Sequence, residues 1–230
     1  MSFPILSAKK ITKTFSSPFP VSILKGIDLD LFPEEAIAIL GKSGEGKSTL
    51  LHILGTLDTP TSGTVTIHEK DLSEHRIPTL RNSHIGFVFQ QAHLLEEETL
   101  LDNVLMPAKI GKQPTQTSSP LFTRAMHLIK VVGLDHRMHT PCKLLSGGEK
   151  QRAAIARALI LSPSLLFADE PSGNLDSIHS QMIQDLLLSC VKQEKKSMII
   201  ATHDPLFAKR CDRILYLKDG LLSPNKDTLP

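Results

Sequence analysis

The sequence has no apolar run approaching the ~20 residues that cross a bilayer. Its opening stretch, MSFPILSAKKITKTF, carries no long apolar segment behind a basic start. The expectation is a soluble chain with no transmembrane segment of its own, so that any membrane task runs through a partner. Cysteine is scarce. Cys142, Cys190 and Cys211 lie far apart and match no zinc or redox spacing, which points to packed, reduced thiols in a cytosolic protein. One-sided charge is also missing: 26 Lys and Arg stand against 24 Asp and Glu, a formal net charge of +2. The charges are interspersed rather than gathered into the basic stripe of a dedicated nucleic-acid binder, so direct nucleic-acid binding is disfavoured. There is no internal repeat and no sustained heptad pattern. His136 and His139 lie close together without the rest of a ligand set and read as loop residues.

What is present suits one large domain carrying an insertion: 230 residues with 40% apolar content. Residues 5–15 and 21–31 read as antiparallel strands around a turn signal at Ser16-Ser17-Pro18, and alternation from Ile27 to Leu31 gives the second strand one wet face. Short strands are expected at Ala36–Leu40, Thr64–His68 and Ile85–Phe89. From Gln91 to about Ser162 the pattern turns helical, with Leu94-Leu95, Leu100-Leu101 and Val104-Leu105 at helical recurrence and a polar, exposed connection from Gly111 to Pro120. Buried-strand patterns return at Ser164–Ala168, Met198–Ala201 and Arg213–Leu217, with a helix over Ile178–Lys192. Strand, helix, strand is the grammar of a parallel α/β sheet. The organisation read from this is a core of residues 1–90 and 163–230 with a helical subdomain, 91–162, inserted.

One stretch dominates. Gly41, Lys42, Ser43, Gly44, Glu45, Gly46, Lys47, Ser48 and Thr49 follow a buried strand and open onto a helix. Two spaced glycines followed by Lys and a hydroxyl residue, in that setting, form a phosphate-binding loop. Glycine lets backbone N–H groups turn inward around a phosphate, and the new helix offers its positive end. Lys47 can reach the β and γ phosphates and Ser48 can ligate Mg²⁺.

Leu165–Pro171, LLFADEP, delivers Asp169 and Glu170 at the end of an apolar strand. Alone, such a pair reads as a solvated strand end. Beside a phosphate loop, Asp169 can hold Mg²⁺ and Glu170 can act as general base toward an attacking water. A third stretch, Ser146-Gly147-Gly148-Glu149, has capping-box spacing ahead of an Ala-rich helix. Its two glycines bare N–H groups at the helix start; the stretch reads either as a second anion site or as an ordinary capped helix with a glycine entry.

LSGGEKQR, at Leu145–Arg152, resembles the signature motif of ATP-binding-cassette (ABC) ATPases, and GKSGEGKST and ADEP resemble that family's two Walker motifs. The other family marks follow in order over Leu6–Gly220. Gln90 is similar to the Q-loop glutamine, Ser172–Asp176 to the D-loop and His203 to the switch histidine, while Phe15 falls where the family places an adenine-stacking aromatic. The resemblance implies a P-loop α/β core with a parallel sheet, an N-terminal antiparallel β subdomain and an inserted helical subdomain. It implies ATP and Mg²⁺ as ligands, with Ser48, Gln90 and Asp169 at the metal, and Glu170, His203, Lys47 and Gln90 in the chemistry. Ser146, Gly147 and Gly148 would close on ATP held by a second copy in a head-to-tail dimer.

Within that family the segment Gln90–Pro107 and VGLDHR ahead of LSGGE are most similar to the ATPases of lipoprotein-releasing transporters. That group implies polytopic inner-membrane partners and a peripheral place on the cytoplasmic face of the bacterial inner membrane. Leu94, Leu95 and Leu101 are then candidates for contact with the membrane subunits, or plain helix core. ATPases of cell-division and of macrolide or peptide-export complexes share much of the pattern. A soluble nucleic-acid-associated ABC protein is the remaining class, and it lacks support from heptads or a cysteine module. Glu45 departs from the family, which commonly has Ser or Cys there. A carboxylate facing polyphosphate would weaken nucleotide binding unless its side chain turns outward.

Overall fold

The computed structural model of the chain describes residues 3–16, 19–68, 70–71 and 77–224. Its strands and helices run β1 (Leu6–Phe15), β2 (Val21–Leu31), β3 (Ala36–Leu40), α1 (Lys47–Leu54), β4 (Ser62–Ile67), β5 (Lys70–Asp71) and α2 (Ile77–His84). They continue with β6 (Ile85–Val88), α3 (Leu100–Ile110), α4 (Pro120–Val131), α5 (Gly147–Leu159), β7 (Leu165–Asp169) and α6 (Ser177–Gln193). The chain ends its described part with β8 (Ser197–Thr202), α7 (Pro205–Ala208), β9 (Arg213–Lys218) and β10 (Leu221–Ser223). Two compact units result: Met1–Ile77 with Lys195–Pro230, and Pro78–Glu194.

In the first unit β1 and β2 pair antiparallel, Leu6 opposite Leu31 and Phe15 opposite Val21, and β4 adds to the other side of β1. The turn expected at Ser16-Ser17-Pro18 lies partly outside the described residues. The alternation in β2 works as read: Ile27, Leu29 and Leu31 are buried, while Asp28 and Asp30 face out and take Lys10 and Lys9 as partners. β3 is buried at every residue and lies parallel between β8 and β9, which explains its unbroken apolar run. β10 returns antiparallel to β9 through Asp219-Gly220. Leu50, Leu51, Ile53 and Leu54 bury one flank of α1, which runs from Lys47.

In the second unit β6 and β7 pair parallel, Val88 beside Ala168. The helices α3, α4 and α5 pack on one another, and Val104, Leu105, Ala125, Ile129, Ala153 and Ala156 on them are all buried. One expectation fails here. Residues 91–98 are not helical, and Leu94-Leu95 sits on an irregular segment. The helix starts at Leu100 because Thr99 caps it, its hydroxyl accepting the Asp102 N–H at 3.1 Å. The preceding segment takes its hydrogen bonds instead from the buried side chain of Asn103: Oδ1 accepts the Leu95 N–H at 2.8 Å and Nδ2 donates to the Leu95 and Thr99 carbonyls, each at 3.0 Å.

Candidate functional site

The first unit holds the glycine-rich loop Gly41–Thr49 and His203 at one edge of its parallel strands. Leu40 ends β3 beside Thr202 of β8 and Tyr216 of β9, so Gly41 and His203 leave the sheet from neighbouring carboxyl ends. That is where ligands of open α/β sheets sit. Gly44 and Gly46 have φ of +83° and +98°, a backbone region closed to most side chains, and a Cβ on Gly46 would lie 2.6 Å from Ile23 Cγ2. Glycine is therefore required where the loop turns into α1. No side chain caps α1, which leaves its first-turn N–H groups facing the loop. Lys47 is buried and folds its ammonium back onto the Gly41 and Lys42 carbonyls, at 2.8 and 3.1 Å. These are the contacts an incoming phosphate would exchange for its own oxygens. Lys42, Ser43 and Ser48 are exposed and Thr49 is half-buried. Glu45 is turned to the β9–β10 hairpin, where its Oε2 accepts the Asp219 N–H at 2.8 Å. His203 is exposed at the end of β8, just before Asp204 caps α7. Phe15 closes β1, 45% exposed, with the Lys13 ammonium 5.2 Å from its ring centroid in a cation–π contact.

The second unit holds the carboxylates, Gln90 and the glycine pair. Asp169 is the last residue of β7, and Glu170 follows at φ +45°, a strained position for a non-glycine residue. Gln90 lies just past β6, the strand paired with β7, and donates through Nε2 to Asn174 Oδ1 at 2.9 Å, tying itself to the segment after Glu170. A Cβ on Gly173 would come within 3.1 Å of that Gln90 amide nitrogen. The structure thus brings Gln90 and the Ser172–Asp176 stretch together, as their shared strand edge requires.

Ser146 caps α5 as its spacing predicts. The capping box is complete: the Glu149 N–H reaches Ser146 Oγ at 3.3 Å and the Ser146 N–H reaches the Glu149 carboxylate at 2.8 Å. That backbone N–H, together with Arg137 at 3.3 Å, holds the Glu149 carboxyl below the usual range. Gly147 and Gly148 open the helix, with Leu175 and His179 as nearest side-chain neighbours. Asp176 caps α6 by accepting the Ile178 and His179 N–H groups, and the His179 backbone and ring hold its carboxyl low.

Two polar residues that were not singled out from the sequence support this half. Gln151, buried on the apolar face of α5, donates to the Phe89 carbonyl at 2.8 Å and so fixes the residue before Gln90. Asn103 fixes the segment after it. Both carry one signal a sequence can show, a lone amide inside an otherwise apolar helical stripe.

Each unit carries its own strand-end motif, a glycine-rich loop opening a helix in the first and paired carboxylates with a capped glycine turn in the second. The model of the ABC transporter family matches residues 24–173, and the chain belongs to that family as one of its ATPases. Its curated relatives include the lipoprotein-releasing system ATP-binding protein LolD of Protochlamydia amoebophila, 48% identical over 95% of this chain and 96% of that protein. LolD of Pseudomonas fluorescens is 46% identical, with 95% and 96% covered. Among solved structures, a dimeric post-hydrolysis state of the ATP-binding cassette MJ0796 bound to ADP and Pi is 35% identical, with a TM-score of 0.86 over 95% of this chain and 96% of that one.

Proposed function

We propose that this chain is the ATP-hydrolysing subunit of a transporter that releases lipoproteins from the bacterial inner membrane. Identity of 48% to a LolD protein along 95% of the chain is the observation that carries this reading. In it, Lys47 gives up the Gly41 and Lys42 carbonyls for the β and γ phosphates, and the α1 N-terminus stabilises their charge. Glu170 takes a proton from the water that attacks the γ-phosphorus, the bond to the β-phosphate oxygen breaks, and ADP and phosphate leave. His203 contacts the γ-phosphate. Ser48, Gln90 and Asp169 offer hydroxyl, amide and carboxylate oxygens, a hard donor set suited to Mg²⁺, which usually takes one or two carboxylates plus substrate phosphate. When bound, that ion neutralises charge on the phosphates.

Ser146, Gly147 and Gly148 of a second copy complete each site in a head-to-tail dimer, a reading supported by the dimeric MJ0796 cassette. Residues 91–162 serve as the helical signature subdomain of one ABC domain spanning 1–230. Among the described residues no helix is long and apolar enough to cross a membrane. In this reading, which rests on the likeness to LolD proteins, the subunit works at the cytoplasmic face on polytopic partners. On the same reading they dock at a cavity of about 470 Å³ in the second unit, whose lining includes Phe87, Phe89, Met106, Arg81 and Arg157. Leu95, half exposed, stays a contact candidate, whereas Leu101 is buried and belongs to the helix core. The test is Glu170→Gln: steady-state hydrolysis should vanish while ATP binding persists and an ATP-dependent dimer accumulates. Near-normal turnover would refute the base assignment. Co-purification with ribosomes or DNA instead of membrane proteins would refute the transport reading.

A further inference from the structure

We infer that Glu45 is a positioning residue for the phosphate loop, a strut that ties the loop to the turn of the β9–β10 hairpin. The inference rests on the reading of Gly41–Thr49 as the ATP phosphate site. Lys218 and Leu221 are paired, leaving Asp219 and Gly220 as a two-residue turn with φ of +50° and +79°. Both central residues at positive φ make this a type I′ turn, in which the first central N–H points away from the ladder. Glu45 Oε2 accepts that N–H at 2.8 Å. A turn donor without a ladder partner thereby acquires one, and a carboxylate that would repel polyphosphate is held at the hairpin.

The strut belongs to a wider brace. Where a Cβ on Gly41 would stand, the Leu217 carbonyl oxygen lies 2.6 Å away, so the loop's first residue presses on the end of β9. Ile23 of β2 touches both partners: its Cγ2 lies 2.6 Å from a Cβ built on Gly46 and its carbonyl oxygen 2.6 Å from one built on Gly220. The Lys25 N–H donates to the Gly220 carbonyl at 2.9 Å. Phosphate loop, β2 and hairpin turn thus lean on one another, and Glu45 supplies the side-chain hydrogen bond from loop to turn. Its effect on ATP runs through the loop's shape rather than through contact with the nucleotide.

The experiment compares two variants of the full chain. Glu45→Gln keeps an acceptor oxygen and removes the charge; Glu45→Ala removes both. ATP affinity, steady-state KM and kcat, and hydrogen–deuterium exchange of the hairpin peptide containing Asp219 are read for each, with Lys47→Ala as the control for the site itself. Losing one hydrogen bond should weaken ATP binding about fivefold in Glu45→Ala relative to Glu45→Gln, raising KM and leaving kcat within about twofold. The Asp219 peptide, measured without nucleotide, should exchange faster in the Ala variant and keep its wild-type rate in the Gln variant. The proposal is overturned if the two variants match in ATP affinity and in exchange, or if both bind ATP tighter than wild type, which would leave charge repulsion as the whole effect. If Lys47→Ala binds ATP like wild type, the phosphate-site reading fails and takes the positioning role with it. Loss of binding there, with matched Glu45 variants, sinks the strut alone.

Discussion

Asn103→Ala tests what holds the segment after Gln90 in the second unit. The Asn103 side chain is 1% exposed, and its amide spends both ends on the segment that follows Gln90. Its three short bonds, from the Leu95 N–H at 2.8 Å and to the Leu95 and Thr99 carbonyls at 3.0 Å, are joined by longer contacts to the Glu98 carbonyl at 3.4 Å and to Cys142 Sγ at 3.2 Å. At about 1 kcal/mol net for each short bond the loss sums to ~3 kcal/mol, less what water recovers at the half-exposed Leu95, so ~2–3 kcal/mol remains. For a chain of this size that lowers Tm by roughly 5–10 °C. Asn103→Asp should cost more, because two N–H donors vanish and a carboxylate is set against two carbonyl oxygens. Thermal melts give the magnitude, and hydrogen–deuterium exchange across residues 91–99 gives the place: those amides should lose protection before the α3 helix does. A Tm change under about 2 °C, or unchanged exchange over 91–99, would refute the claim that one amide organises this segment.

Ser146→Arg should leave ATP binding by the monomer intact, abolish the ATP-dependent dimer seen by sedimentation, and cost ~1 kcal/mol through loss of the α5 cap; an unchanged dimer rejects the shared-site model. Glu149 has its carboxyl held low in the folded chain by the Ser146 N–H. Its contribution is therefore present above the carboxyl range of the unfolded chain and is lost as pH falls through the lower folded value. Wild type should exceed Glu149→Gln by ~0.5–1 kcal/mol near neutral pH, and the two denaturation curves should converge as pH falls through and below the carboxyl range. A gap that stays constant with pH contradicts that placement.

Much of this molecule was legible in its residues because local signals agreed. The unbroken apolar run Ala36–Leu40 meant a strand buried on both faces, and it is flanked by β8 and β9. Ser146 and Glu149 at capping-box spacing gave the start of α5 to the residue. Leu94-Leu95 misled because leucine recurrence cannot tell a helix from a segment pinned by a side chain; the Thr99–Asp102 cap was the stronger boundary signal. α2 escaped notice because it buries no residue and so writes no apolar stripe. β10 was passed over for its three residues, although Asp219-Gly220 is a hairpin signal in its own right. Glu45 could be flagged as a departure, but its direction depends on an N–H 174 positions away.

That separation has a consequence for biogenesis. β3 receives its parallel neighbours only from Ser197 onward: Met198 donates its N–H to Glu35, Asp212 its N–H to Ala36, and Asp219 its N–H to Glu45. During synthesis the strand that launches the phosphate loop therefore waits unpaired on both sides while the contiguous block Pro78–Glu194 emerges and can fold. A ribosome-bound chain that ends before β9 should be blind to nucleotide, and competence to bind ATP should arrive only once β8, β9 and the hairpin turn have been made.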